Sequence, residues 1–402
     1  MIYNPLYKRT LLQISQFFLF CLIMMINLNG NNFFHLKEAF FILFVSTSQS
    51  YGNYKKLWNF LLMIVLYLYS ATVNLITESN YQFSAAVYNL LGFIYLFLQV
   101  YETPEYKDTI IKSFLTSSRI VAVVSIFIWF ICMIFPVIGN GLILFFKMNN
   151  YGNAAFIFLI TKREILGFQF LRVYYCTAPC MICALGYYLL QQFGNKTKKN
   201  LFLILMYSFA LCISGARANI LAVILLICSF FCLNLIRERK LVMAFFIIIV
   251  AGISALLVLF LLLGEKSDAS IKVKTLHKIS YMEIFNKNPL KTLFTGWGAG
   301  SEFYSKGFHK MTDTTELSFY ETIRRYGIIS TFFIFLFIWF RPVIYCFANK
   351  FPFVYSMFFS IILASYILVS CTNPFLLGSI GFCSLIFMET IIYNFRKRVY
   401  IR

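Results

Sequence analysis

Apolar runs close to the length needed to cross a bilayer follow one another along nearly the whole chain, and no other feature restricts its fold as strongly. At a template of ~20 residues they number about twelve, near 10–28, 33–49, 57–76, 84–101, 118–138, 172–191, 200–215, 218–236, 241–263, 325–347, 352–370 and 376–394. With 60% hydrophobic and 12% charged residues over 402 positions, the chain carries too little polar surface to cover a water-soluble fold of this size. The expected fold class is an all-α polytopic integral membrane protein with about twelve transmembrane helices, a single transmembrane domain over 1–402. The second run is the weakest, because His35, Lys37 and Glu38 occupy its first turns. Parity retains it: without a crossing there, Lys8 and Arg9 would lie opposite Lys55 and Lys56, against the positive-inside rule.

That rule orients the chain. Basic clusters at Lys8/Arg9, Lys55/Lys56, Lys107/Lys112/Arg119, Lys196/Lys198/Lys199, Arg237/Arg239/Lys240 and Arg396/Lys397/Arg398 alternate with the short loops NGNN, TESNYQFS and CTNPF, which hold no Lys or Arg. Both termini are expected to be cytoplasmic, with two long extracytoplasmic segments at 139–171 and 264–324. The aromatic residues interleaved through the first segment suggest that it lies against a membrane surface. The formal charge of +20 follows this alternation instead of forming one groove-reading patch, which argues against nucleic acid as a partner.

Most of the eleven cysteines fall inside apolar runs, where a free thiol behaves as a small hydrophobe, so no disulfide framework follows. Cys176, Cys180 and Cys183 have metal-like spacing, but no fourth ligand accompanies them locally and no metal is expected. The N-terminal run after Lys8 and Arg9 is too long for a signal peptide and lacks an A-x-A site, so it reads as a retained first span. No phosphate-binding loop, nucleophile elbow or dinucleotide fingerprint is present. GWGAG, residues 296–300, has no preceding strand and reads as a tight turn.

Polar, glycine-punctuated sequence concentrates in residues 296–327, which makes that loop the expected working site. His309, flanked by Lys306 and Lys310, is a candidate general base or a solvated surface histidine. Glu316 is a candidate base for a sugar hydroxyl, or else closes a capping box with Asp313. Glu321 and Arg325 fall four apart in the favourable acid-first order and support one another on a helix. Arg217, in the turn SGARANILA at 214–222, is costly near an apolar helix and calls for an anionic partner or for snorkelling to an interface. Small residues around it allow a ligand headgroup to come close.

SGARANILAVIL, together with GWGAG leading into ELSFYETIRRYGIIS, resembles the O-antigen polymerase and ligase superfamily over about residues 200–345. Arg217 and Glu321 match its motif positions, whereas ligases of the superfamily typically show a His where this chain has Glu316. The resemblance implies a glycosyltransferase in a bacterial inner membrane. It would polymerise undecaprenyl-pyrophosphate-linked repeat units into an O-antigen or capsule-like polysaccharide at the periplasmic face. Its expected partners are lipid-linked donor and acceptor glycans, membrane lipid and a chain-length regulator protein, with no cofactor. On that reading Glu316 or His309 serves as base, and Arg217, Arg172, Arg324 and Arg325 hold the pyrophosphate. Glu321 and Gly327 support the site. A lipid-linked oligosaccharide flippase or small-solute transporter, and the O-antigen ligase, stand as alternatives.

Overall fold

Several helix starts are written in the sequence as a short polar residue ahead of the helix. Thr103 accepts the Tyr106 N–H at 3.4 Å with Pro104 at the first helical position, and Thr197 accepts the Asn200 N–H at 3.2 Å. Asn288 accepts the Lys291 N–H at 3.0 Å ahead of Pro289. Each cap satisfies an amide that the first helical turn leaves without an intrahelical acceptor.

The structure is a computed structural model that describes residues 5–25, 36–47, 57–77, 90–100, 103–149, 158–165, 168–247, 249–250, 252, 269–315, 317–371 and 376–400. Helices α1 (Pro5–Met25), α2 (Leu36–Thr47) and α3 (Leu57–Thr77) lead to a 3₁₀ segment, Ile94–Val100. Then follow α4 (Pro104–Ile134), α5 (Pro136–Asn149) and the antiparallel pair β1 (Phe158–Ile165) and β2 (Phe168–Tyr175), registered Phe158 to Tyr175. Helices α6 (Cys180–Gly194), α7 (Lys198–Ile213), α8 (Arg217–Arg237), α9 (Ala269–Lys287) and α10 (Pro289–Phe294) precede a small hairpin, β3 (Phe303–Ser305) and β4 (Lys310–Thr312). Helix α11 (Ser318–Ile334), a π segment (Phe335–Trp339), α12 (Arg341–Ala348), α13 (Phe353–Cys371) and α14 (Ser379–Tyr400) complete it.

The core gathers around α6, whose Ile182, Cys183, Ala184 and Leu185 are all fully buried. A Cβ at Gly186 would lie 2.6 Å from the Ile362 side chain, so bare glycine lets α6 and α13 close together. Phe114 of α4 stacks on Phe387 of α14 with ring centroids 3.9 Å apart, and the buried Trp339 stacks on Tyr366 at 5.9 Å. Polar cross-links are buried among these contacts: Asn59 donates to Gln99 at 3.0 Å, and the Ser70 hydroxyl donates to the Arg325 carbonyl at 2.7 Å.

The twelve-span, all-α expectation is corrected. Among the described residues five helices are long and apolar enough to cross a membrane: Leu57–Ile76, Pro104–Ile134, Arg217–Arg237, Ser318–Trp339 and Phe353–Cys371. The run at 33–49 becomes the 12-residue α2, about 18 Å long against a ~30 Å bilayer core. The run at 172–191 divides into the end of strand β2 and the 15-residue α6, and the run at 200–215 becomes the 16-residue α7. The run at 325–347 is broken at Gly327 and restarts at Arg341. Most of the run at 241–263 lies outside the described residues. The segment 139–171, expected as an external loop, is built in its described parts from α5 and the β1–β2 hairpin.

The functional expectation falls with this architecture. An inner-membrane O-antigen or capsule polymerase working at a periplasmic face, like its flippase and ligase alternatives, depends on twelve alternating crossings with both termini cytoplasmic. Five membrane-length helices and a polar, aromatic interior among the described residues do not supply that alternation.

Candidate functional site

The loop singled out in the sequence is a braced knot around the start of α11. Gly327, at φ 79° and ψ 166°, breaks α11 after its polar first half. The break removes the helical N–H donors that the carbonyls of Arg324 and Arg325 would otherwise meet. The GWGAG turn replaces them: the Trp297 N–H donates to the Arg324 carbonyl at 2.6 Å and the Gly298 N–H to the Arg325 carbonyl at 3.2 Å. Ser70 of α3 donates to the same Arg325 carbonyl and accepts the Ala299 N–H at 2.9 Å, while the Asn74 amide donates to the Ala299 carbonyl at 3.0 Å. Gly298 has φ 94°, and a Cβ there would lie 2.4 Å from the Ser70 carbonyl oxygen. Only glycine fits both the backbone conformation and the approach.

Inside the knot, the buried carboxylate of Glu321 gathers Arg324, Arg325 and Tyr281. Its Oε1 accepts from Arg324 Nη2 at 2.6 Å and from Arg325 Nε, and its Oε2 accepts from Arg324 Nε at 3.1 Å and from the Tyr281 hydroxyl at 2.6 Å. Since the Tyr281 proton goes to Glu321, the Thr315 hydroxyl 2.9 Å away is the donor to Tyr281. Arg324 Nη1 reaches the Ser301 carbonyl at 3.0 Å and the Ser301 hydroxyl, and Nη2 reaches the Asp313 carbonyl at 2.7 Å. The Phe303 ring lies 4.9 Å from the Arg324 guanidinium. Burial by itself would raise the Glu321 carboxyl, but the charges of Arg324 and Arg325 and their hydrogen bonds outweigh it and hold it at about 2. Burial, then the Glu321 charge, pushes the Tyr281 phenol well above its ordinary value.

A second site brings Arg172 to the turn that precedes Arg217. The turn Ser214–Gly215–Ala216 ends α7 and starts α8, with Arg217 its first helical residue and Gly215 at φ 60°. Arg172, on β2, donates from Nε to the Ser214 carbonyl at 2.8 Å, and its guanidinium lies 5.2 Å from the Tyr174 ring. Its Cγ packs where a Gly215 Cβ would come within 2.8 Å. Ala216 supplies no side-chain cap to α8. The buried Asn219 donates to the Ser214 hydroxyl at 2.9 Å. Arg172 thus reaches the turn that leads into Arg217 at the positive end of a 21-residue helix.

The remaining candidates are placed as follows. His309 is exposed, at φ 52° in the β3–β4 turn, and Lys306 beside it pairs with Glu283. Glu316 lies outside the described residues. Cys176, Cys180 and Cys183 are buried free thiols, and among the described residues no group of three or more His, Cys, Asp or Glu side chains is placed to hold a metal ion.

Sequence reasoning did not include Tyr281, Thr315, Ser301, Ser70 or Asn74. Ser70 and Asn74 left one trace, two polar residues one helical turn apart inside an apolar run. Comparison with protein-family models, with curated proteins and with solved structures finds no match to this chain.

Proposed function

We propose that this chain binds an amphiphile with a phosphate or pyrophosphate head and an apolar tail, and that Arg172 and Arg217 receive the head. The observation that carries this reading is the hydrogen bond from Arg172 to the Ser214 carbonyl, in the turn that leads into Arg217 at the start of α8, where helix amides and guanidinium forks favour the same sign of charge. The apolar flanks of α8 and its neighbours offer a surface for the tail: Leu225 and Phe231 are exposed along α8, and Phe209 is exposed near the end of α7. Within this reading the enzyme class expected from the resemblance, a glycosyltransferase with a lipid-pyrophosphate donor, would use the two arginines to take up charge on the leaving group.

Full-length protein in detergent micelles is titrated with a polyprenyl pyrophosphate and with the matching polyprenyl alcohol. The pyrophosphate is expected to bind and the alcohol to bind at least tenfold more weakly. Arg217→Ala should cost about ten- to a hundredfold in affinity for the pyrophosphate, as expected for a lost charged hydrogen bond, and Arg217→Lys should recover part of it. Equal binding of the two lipids, or unchanged affinity in Arg217→Ala, sinks the reading. Release of free lipid pyrophosphate from a sugar-bearing donor tests the transferase step separately.

A further inference from the structure

We propose that Arg119 and Tyr188 receive the phosphate of an anionic phospholipid, whose chains lie along the exposed apolar stripe that continues from Arg119 on the same face of α4. This site is separate from the one at Arg172 and Arg217.

Arg119 stands near the middle of the 31-residue α4, and its Nη2 donates to the Tyr188 hydroxyl of α6 at 3.0 Å. Its Nε is buried with no acceptor, while Nη1 keeps solvent access. A guanidinium with five N–H donors is thus met by one protein oxygen. Because Tyr188 accepts from Arg119, its own proton remains to be given to a further acceptor. The Tyr188 ring stacks on Tyr207 of α7 with centroids 5.8 Å apart, and the Tyr207 hydroxyl donates to the Leu115 carbonyl at 3.2 Å. Both tyrosines are therefore anchored beside α4.

The usual counter-charge for a partly buried arginine is a carboxylate. Among the described residues Arg119 has none, and the sequence shows why. No Asp or Glu occurs from Thr109 to Arg163, or again from Ile165 to Arg237. Helix α4 packs against α1, α5, α6, α7, α14 and β2, of which only α14 holds an acid, Glu389. Glu389 lines a cleft with Lys107, which lies more than three turns before Arg119 on α4, about 18 Å along the axis. Glu105 and Asp108, the acids of α4 itself, sit at that same distant end.

The face of α4 that carries Arg119 continues as apolar surface. Val123, Phe127 and Phe130 follow at steps of four, four and three, and all three are exposed. They extend the face about 16 Å beyond the cation. At the far end the Phe130 ring meets Phe209 of α7 with centroids 6.4 Å apart, so the stripe runs beside a second apolar helix. In the other direction the exposed Lys112, seven residues before Arg119, falls on the same face and adds positive charge. Cations at one end of an exposed apolar stripe, with no carboxylate to balance Arg119, match an amphiphile that is negative at its head.

Full-length protein in nonionic detergent micelles, with the exposed Trp58 replaced by Phe, is titrated with phosphatidic acid that carries brominated acyl chains. Quenching of Trp129, whose ring lies 5.2 Å from Phe130, reports the chains. Saturable quenching is expected, with the matching brominated diacylglycerol at least tenfold weaker. Arg119→Ala should cost about ten- to a hundredfold in affinity for phosphatidic acid, and Arg119→Lys should recover part of it. Val123→Glu, at an exposed position, sets a carboxylate one turn from Arg119 and should weaken binding comparably. Arg217→Ala should leave the curve unchanged, which separates this site from the other. A curve that follows Arg217 and not Arg119 overturns the proposal, as does equal binding of the two lipids. Unchanged affinity in Arg119→Ala, or displacement of the lipid by inorganic phosphate, also overturns it. Should Arg119→Ala fail to fold, Val123→Glu and the neutral lipid still decide.

Discussion

Glu321 takes hydrogen bonds from two arginines and a tyrosine with both of its carboxylate oxygens. Neutralising it leaves two buried guanidinium groups without their counter-charge. Glu321→Gln is expected to destabilise the fold by about 3–5 kcal/mol, read as the loss of melting temperature in a fixed detergent. Because its folded value of about 2 lies below the ordinary carboxyl value, Glu321 stabilises the fold fully above about pH 4.3. That contribution is lost as the pH falls from there toward 2. Melting temperatures measured from pH 6 down to pH 2.5 should therefore fall more steeply for the parent than for Glu321→Gln; parallel curves would refute the assignment. Part of this was legible in the sequence. The four-residue step from Glu321 to Arg325 gives their pairing, whereas Tyr281 lies 40 residues away and only the fold brings it to the carboxylate.

At the scale of elements, glycines at left-handed φ divide the apolar runs. Gly298→Ala places a Cβ 2.4 Å from a backbone oxygen at φ 94°, and its cost is expected at roughly 3 kcal/mol or more. Gly141→Ala is the contrast, since Gly141 sits inside α5 with open space around it. That variant should gain about 0.5–1 kcal/mol from helix propensity; equal effects at the two sites would contradict the packing given for the GWGAG turn. The punctuation by glycine was visible in the sequence, and the docking of GWGAG on α3 was not. A hydropathy window averages over the break at Gly327 and over the change from β2 to α6, so it joined pieces that the backbone separates. Periodicity also did not mark 168–175 as a strand, because FQFLRVYY has aromatic and apolar residues on both faces.

For the whole molecule, burial is uneven among the five long apolar helices. Leu57–Ile76 and Pro104–Ile134 bury 28% and 33% of their most apolar stretch, whereas Ser318–Trp339 and Phe353–Cys371 bury 56% and 50%. The first pair therefore turns large apolar faces outward, with Trp58, Leu68 and Val65 on one and Phe127 and Ile134 on the other. Faces of this kind do not stay in water. Diluting the purified chain below the critical micelle concentration should drive it into large assemblies in size-exclusion chromatography with light scattering. A monodisperse monomer would contradict the exposure of these helices. Composition announced this apolar surface correctly but could not say how many helices share it, since the same residues also fill the interior around α6.

Ser70 and the Arg325 carbonyl that it reaches are 255 residues apart. At ribosomal speeds of roughly 5–20 residues per second, α3 waits on the order of 10–50 s for its partner to be made. Throughout that time Ser70 and Asn74 sit in an apolar helix with neither the Arg325 carbonyl nor the GWGAG turn yet synthesised. The nascent chain must therefore hold this face of α3 open, or shielded by a helper, until residues 296–325 arrive. A ribosome stalled before residue 296 would present the quality-control machinery with a folding intermediate whose central tie cannot form.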